Sequence, residues 1–219
     1  MSQKTVFFIW ILLGSVILTG FDDYDYQEDL YREYLRLQID KNTILAFSGT
    51  EHPVSIALQT GETVKIIRQK GYVGAVLTNI RFLAISSVSG RWLSESLNLD
   101  EEDNADLILG EKVAMLVTNS RIIGFTYRRD SFVYYELPMG KRIIEKDAGK
   151  DFGIVVMSDR AVGLSSKTGD FTETDFDMDE SFKSLEMAAT FALVNTNDNI
   201  YSYRGSSGAW SVRPKPPMQ

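Results

Sequence analysis

Apolar and polar positions alternate along this chain in a phrase that returns at a nearly constant interval. Val113–Phe125 is apolar on both sides of a short polar interruption, Thr118-Asn119-Ser120-Arg121. Two strands joined by a tight turn account for that pattern better than a helix, which would need apolar positions three and four apart. The phrase recurs at residues 73–85, 153–164 and 191–203, with a worn copy at 35–47. The interruptions begin at Asp40, Thr78, Thr118, Ser158 and Thr196, spaced 38, 40, 40 and 38 residues apart. Each hairpin is followed by a turn and an aromatic or apolar residue, as at Gly90-Arg91-Trp92, Asp130-Ser131-Phe132, Gly169-Asp170-Phe171 and Gly208-Ala209-Trp210. The segment behind it alternates, as a half-exposed strand does. A further apolar stretch then precedes the next copy, at 64–68, 107–109, 143–144 and 182–185. Read as the last strand of the unit before it, this stretch makes four strands per unit.

A strand-bearing period near forty is the signature of a radial repeat. Residues 35–213 resemble a β-propeller in architecture, without the Trp-Asp or Kelch signatures of named propeller families. The resemblance implies an all-β, five-bladed propeller of four-stranded blades, with no residue roles to carry over. In that arrangement the first hairpin strand of each copy is expected nearest the axis. It is apolar on both faces and carries small residues such as Gly74, Ala114, Gly153 and Ala192. Arg36 and Gln38 of the first copy break this rule. The last copy stops at Ser211–Pro214, so its missing outer strand is expected from the N-terminal segment, which would close the ring and remove exposed sheet edges.

The N-terminus reads differently. Lys4 precedes an apolar run over residues 6–20, and Asp22 and Asp23 follow at once. The run suits a signal peptide or signal anchor with the N-terminus inside. Leu18-Thr19-Gly20 resembles the start of a lipoprotein box, but Phe21 stands where the lipidated cysteine belongs. The chain therefore divides into residues 1–21 (signal or anchor), 22–34 (an acidic, Tyr-rich lead-in) and 35–219 (the propeller). The expected location is the cell envelope, periplasmic or extracytoplasmic, membrane-anchored through residues 6–20 if they are retained.

Composition narrows the chemistry. The 219 residues are 44% hydrophobic, enough for a core, with net charge −7 and pI near 4.8. That balance argues against nucleic acid and anionic membrane surfaces as general partners. The chain has no cysteine and a single histidine, His52, which excludes disulfides, thiolate nucleophiles and three-histidine metal sites. His52 lies in a turn of the first copy and reads as a surface residue.

The one repeated charged position follows the hairpin turn: Arg81, Arg121 and Arg160. On one rim of a propeller they would form part of an anion or partner site, or each would pair with a carboxylate of the adjacent blade. The fifth copy has Asn199 here and the first has Thr43, which favours the pairing. Asp175, Asp177 and Asp179 with Glu186 mimic a calcium loop, but Glu180 stands where glycine is required, so a solvated acidic face is the better reading. The run Leu99–Asp106 reads as a solvated loop. Glu111 and Asp151, near the axis, are the pair a carboxylate-dependent glycosidase would use. No catalytic, cofactor or metal site is assigned. The sequence thus points to a non-enzymatic protein-interaction module with a protein partner. The alternatives are a propeller binding an anion or saccharide, and a small glycoside hydrolase or lyase.

Overall fold

A computed structural model of the chain describes residues 35–49, 52–101 and 105–216. All the regular structure of these described residues is β, in five antiparallel sheets whose strands follow one another in sequence order. Blade 1 comprises β1 (Arg36–Asp40), β2 (Thr43–Phe47) and β3 (Val54–Ala57); blade 2 comprises β4 (Val64–Lys70), β5 (Val73–Thr78), β6 (Arg81–Ser86) and β7 (Trp92–Ser96). Blade 3 runs through β8 (Asp106–Leu109), β9 (Val113–Val117), β10 (Arg121–Thr126) and β11 (Val133–Glu136). Blade 4 holds β12 (Ile143–Ala148), β13 (Phe152–Met157), β14 (Arg160–Ser165) and β15 (Phe171–Asp175). Blade 5 holds β16 (Phe182–Met187), β17 (Phe191–Thr196), β18 (Asn199–Arg204) and β19 (Ala209–Pro214). This is a five-bladed β-propeller, with the repeat turns at 78, 118, 158 and 196 joining the two central strands of their blades.

Two features of the sequence reading are corrected. The stretches at 64–68, 107–109, 143–144 and 182–185 open the blade that follows them. Thus β4 pairs with β5 from Arg68↔Ala75 to Lys70↔Val73. A link of two residues, Gly71-Tyr72, permits nothing but an antiparallel neighbour, whereas six residues separate β3 from β4. Blade 5 therefore has its own four strands, and among the described residues the blade with three is blade 1. The lead-in at 22–34 and the apolar run at 6–20 lie outside the described residues.

The second correction concerns burial. The hairpin strands are apolar because they are the middle of each sheet, covered on both faces by neighbouring blades: β5, β6, β9 and β13 are buried throughout. The strands nearest the axis are the first ones. There the backbones of successive blades meet directly, through Leu35 N–H to Gly71 O (3.3 Å), Tyr72 N–H to Glu111 O (2.8 Å), Lys112 N–H to Lys150 O (3.0 Å) and Lys150 N–H to Ala189 O (2.8 Å). A Cβ on Gly110 would stand 2.3 Å from the Gly149 carbonyl, so glycine is what lets these turns converge. At the β6–β7 type of turn long side chains span the gap, as Arg91 does to Asp130 and Arg129 to Thr168.

Four inter-blade cores result. Phe82 and Ala84 meet Leu116 and Phe125 between blades 2 and 3. Met115 and Val117 meet Val155 and Leu164 next, and Phe152 and Ile154 meet Tyr201 and Tyr203 after that. Ile44 and Ala46 of blade 1 pack on the Val76, Leu83 and Ile85 side of blade 2. Each fully buried aliphatic or aromatic side chain contributes roughly 1.5–3 kcal/mol. The irregularity at Arg36 and Gln38 is now explained. In register these residues match Gly74 and Val76, but they sit on the outer face of blade 1, exposed. Blade 5 shows the complementary change on its own outer face. Asn195, Ser202 and Arg204 stand where blade 2 has Leu77, Ala84 and Ser86. Both outer faces are mixed, since Phe47 lies opposite Arg36 and Phe191 opposite Arg204, and these rings are 39% and 42% exposed.

Candidate functional site

The candidate rim lies at the end of the propeller where β5–β6 turns meet the connectors between blades. Its turns keep threonine for a local reason. Thr78 Oγ1 accepts the Arg81 N–H at 3.0 Å, and Thr118 and Thr196 do the same for Arg121 and Asn199, each at 3.0 Å. The hydroxyl replaces part of the ladder that the bend interrupts.

The arginine at the end of each turn points back at the connector from the preceding blade. Arg81 donates from Nε to Glu62 Oε1 (2.7 Å) and from Nη2 to Glu62 Oε2 (2.8 Å), and from Nη2 to the Ala57 carbonyl (2.7 Å). Arg121 repeats this with Glu101, at 2.8 and 3.1 Å, and adds Glu95 at 2.8 Å and the Ser96 carbonyl at 2.9 Å. Arg160 is held by Asp159, Glu173 and Asp175, all of its own blade, at 3.4, 3.0 and 3.3 Å. All three arginines thus have carboxylate partners. Two of them reach the preceding blade's connector, and Arg160 does not.

The difference is written in the connectors. Glu62, Glu101, Lys141 and Glu180 occupy the same place, the fourth residue of a tight turn, with N–H to O contacts from Glu62 to Gln59, Glu101 to Asn98, Lys141 to Pro138 and Glu180 to Asp177. Each glutamate also accepts the N–H three residues earlier, at 2.7, 2.7 and 2.8 Å. In blade 4 the lysine reverses the charge and pairs with Asp159 at 2.9 Å. In blade 5 Glu180 meets no arginine and accepts from the Thr196 and Tyr201 hydroxyls instead.

This connector glutamate is the residue that sequence reasoning missed. Glu101 belongs to a run read as solvated, yet its side chain is fully buried. Burial acts to raise its pKa, but hydrogen bonds from Arg121, the Asn98 amide and Ser120 outweigh that and lower it to about 2. Glu62 and Glu180 are likewise lowered; burial opposes the shift, and hydrogen bonds from Arg81 in one and from Thr196 and Tyr201 in the other overcome it. The available signal was recurrence: a glutamate 16 or 17 residues before the hairpin turn in three of the copies.

The remaining candidates are dispersed. Asp175 faces Arg160, Asp177 lies 3.5 Å from Asn199, and Glu180 is turned inward. Among the described residues no group of three or more acidic or histidine side chains could hold a metal ion. Glu111 and Asp151 lie at the opposite end, beside the axis. There they make a crossed pair with lysines of adjacent blades, Lys150 to Glu111 at 3.9 Å and Lys112 to Asp151 at 3.4 Å. Lys112 also stands over the rings of Tyr72 and Tyr127. The axis mouth here is a shallow cavity of about 320 Å³ lined by Lys70, Glu111, Lys150, Ala148 and Met187 among others. His52 is exposed.

No protein-family model and no curated protein matches the sequence. Solved structures align with it at low identity. The N-terminal domain of Nup159 aligns with a TM-score of 0.37 at 9% identity, over 83% of this chain and 58% of that one. Prp20p of Saccharomyces cerevisiae aligns at 0.40 and 10%, over 79% and 58%. Hsv2 of Kluyveromyces lactis aligns at 0.37 and 9%, over 78% and 60%. The chain spans less than two thirds of each, and such scores add nothing to what the sheet topology establishes.

Proposed function

We propose that residues 35–214 act as a non-enzymatic protein-interaction module, exported or held at a membrane by the apolar run at 6–20. One observation carries this reading: the ionic groups nominated for ligand or acid–base chemistry already have internal partners. Arg81 and Arg121 hold the connectors of the preceding blade, and Arg160 closes its own rim. Glu111 and Asp151 are each opposed by a lysine from the next blade or the one before. A carboxylate neutralised in that way is poorly placed to move protons, and an arginine bound to a carboxylate is already occupied as an anion receptor. What such bracing yields is a firm platform with its turns displayed at both ends. No helix among the described residues is long and apolar enough to cross a membrane.

The test is affinity capture from envelope extracts with the full chain, followed by reconstitution with the purified partner. A stoichiometric protein complex is expected. Turnover of a polysaccharide with no protein retained would contradict the proposal.

A further inference from the structure

The net charge of −7 conceals a strong separation of charge between the two ends of the propeller. In blades 2–5, the turns at the axis-mouth end are residues 70–72, 86–91, 110–112, 126–132, 149–151, 165–170, 188–190 and 204–208. They carry eight lysines and arginines against four acids, a net charge of +4. The acids among them, Glu111, Asp130, Asp151 and Asp170, each lie within an ion pair with a cation of the same end. Lys70, Lys167 and Arg204 are exposed there, spaced across blades 2, 4 and 5. The opposite end is acidic. Its connectors and hairpin turns include Asp100, Asp177, Asp179 and Asp198, all exposed.

We propose that the basic end is the docking face for an extended acidic segment of a partner protein, running over the axis mouth. This rests on the interaction-module reading and names the partner's chemistry. Two observations favour a peptide over a flat anionic surface. The cations alternate with paired acids, so a bilayer pressed against this end would meet Asp130 and Asp170 as well, whereas a flexible chain places its carboxylates between them. The mouth itself is a shallow depression of about 320 Å³ lined by Lys70, Lys150, Ala148 and Met187 among others, the size of a few side chains. Complementary charge of this kind governs encounter and orientation, and the interaction weakens steeply with salt.

The experiment titrates the full chain, in mild detergent, into a fluorescent peptide of twelve alternating glutamates and glycines, read by anisotropy. Saturable binding at low salt is expected, weakening roughly tenfold between low and 0.3 M salt as screening tightens. The triple variant Lys70→Glu, Lys167→Glu, Arg204→Glu is expected to bind at least about tenfold more weakly. Asp177→Asn with Asp179→Asn, at the other end, changes the affinity by no more than about twofold. Near-ultraviolet circular dichroism verifies that both variants fold. Three results overturn the proposal: absence of binding, binding indifferent to the triple reversal, or tighter binding to phosphatidylglycerol-doped micelles than to the peptide. A partner captured equally by wild type and triple variant leaves the interaction module standing and removes this face from it.

Discussion

Replacing Glu101 by glutamine tests how the blades are held together. The substitution keeps the shape of the side chain and removes its charge. Glu101 is fully buried and accepts from Arg121, Ser120, Thr118 and the Asn98 amide, while Arg121 is 13% exposed and retains Glu95 as its other anion. Losing one member of a buried pair typically costs about 3–5 kcal/mol, and the surviving Glu95 contact places this case at the low end. The lowered pKa gives the same answer, since a fall from 4.5 to about 2 corresponds to roughly 3 kcal/mol at neutral pH. A depressed carboxylate contributes fully above its unfolded value of 4.5 and loses that contribution as pH falls toward about 2. Guanidinium unfolding followed by tryptophan fluorescence should therefore show Glu101→Gln about 3 kcal/mol less stable at pH 7, with the gap closing below pH 4.5. Asp100→Asn, at an exposed neighbour, should stay within about 0.5 kcal/mol. A penalty below about 1 kcal/mol at pH 7, or one unchanged at pH 3, would refute the reasoning.

Other perturbations separate the remaining elements. Arg160→Gln should cost under about 1 kcal/mol, because its partners Glu173 and Asp175 are 44% and 69% exposed, and denaturation midpoints beside those of Arg121→Gln would show the contrast. Gly110→Ala should destabilise by roughly 1–3 kcal/mol or more in the same assay, since its Cβ would press on the Gly149 backbone, where no rotamer change relieves it. The pair Arg36→Val, Gln38→Val gives the outer face of blade 1 the apolar character of an internal blade. Sedimentation velocity should then show stronger concentration-dependent association than for the wild type, and an unchanged sedimentation coefficient would argue that Arg36 and Gln38 do not keep this face from pairing.

The repeat was legible because its cause is local. A threonine that closes a two-residue bend, flanked by largely buried strands, leaves the same mark in blades 2, 3 and 5, with Ser158 in its place in blade 4 and Asp40 in blade 1. The phase of the repeat was harder. An apolar stretch between two hairpins can pair with either, and what decides is loop length: two residues at Gly71-Tyr72 against six between Ala57 and Val64. A glycine beside three of the four axis turns, at 71, 110 and 149, was the visible sign of that choice. Arg36 and Gln38 registered as exceptions without a reason, since which face of blade 1 lies outward is a property of the assembled array. Glu101 was hidden by its neighbours, because burial of one carboxylate in an acidic run depends on an arginine 20 residues later in the chain. The connection between Arg81, Arg121 and their partners was foreseen as a bracing contact, while Arg160 follows a different rule because Lys141 occupies its connector.

The pairing of residues 64–70 is the most direct test of the architecture. In isotope-labelled protein, backbone nuclear Overhauser contacts from Arg68 and Lys70 should run to Ala75 and Val73, the partners across β4 and β5. Contacts from residues 64–70 to Val54–Ala57 would instead attach this strand to blade 1 and contradict the arrangement of the blades.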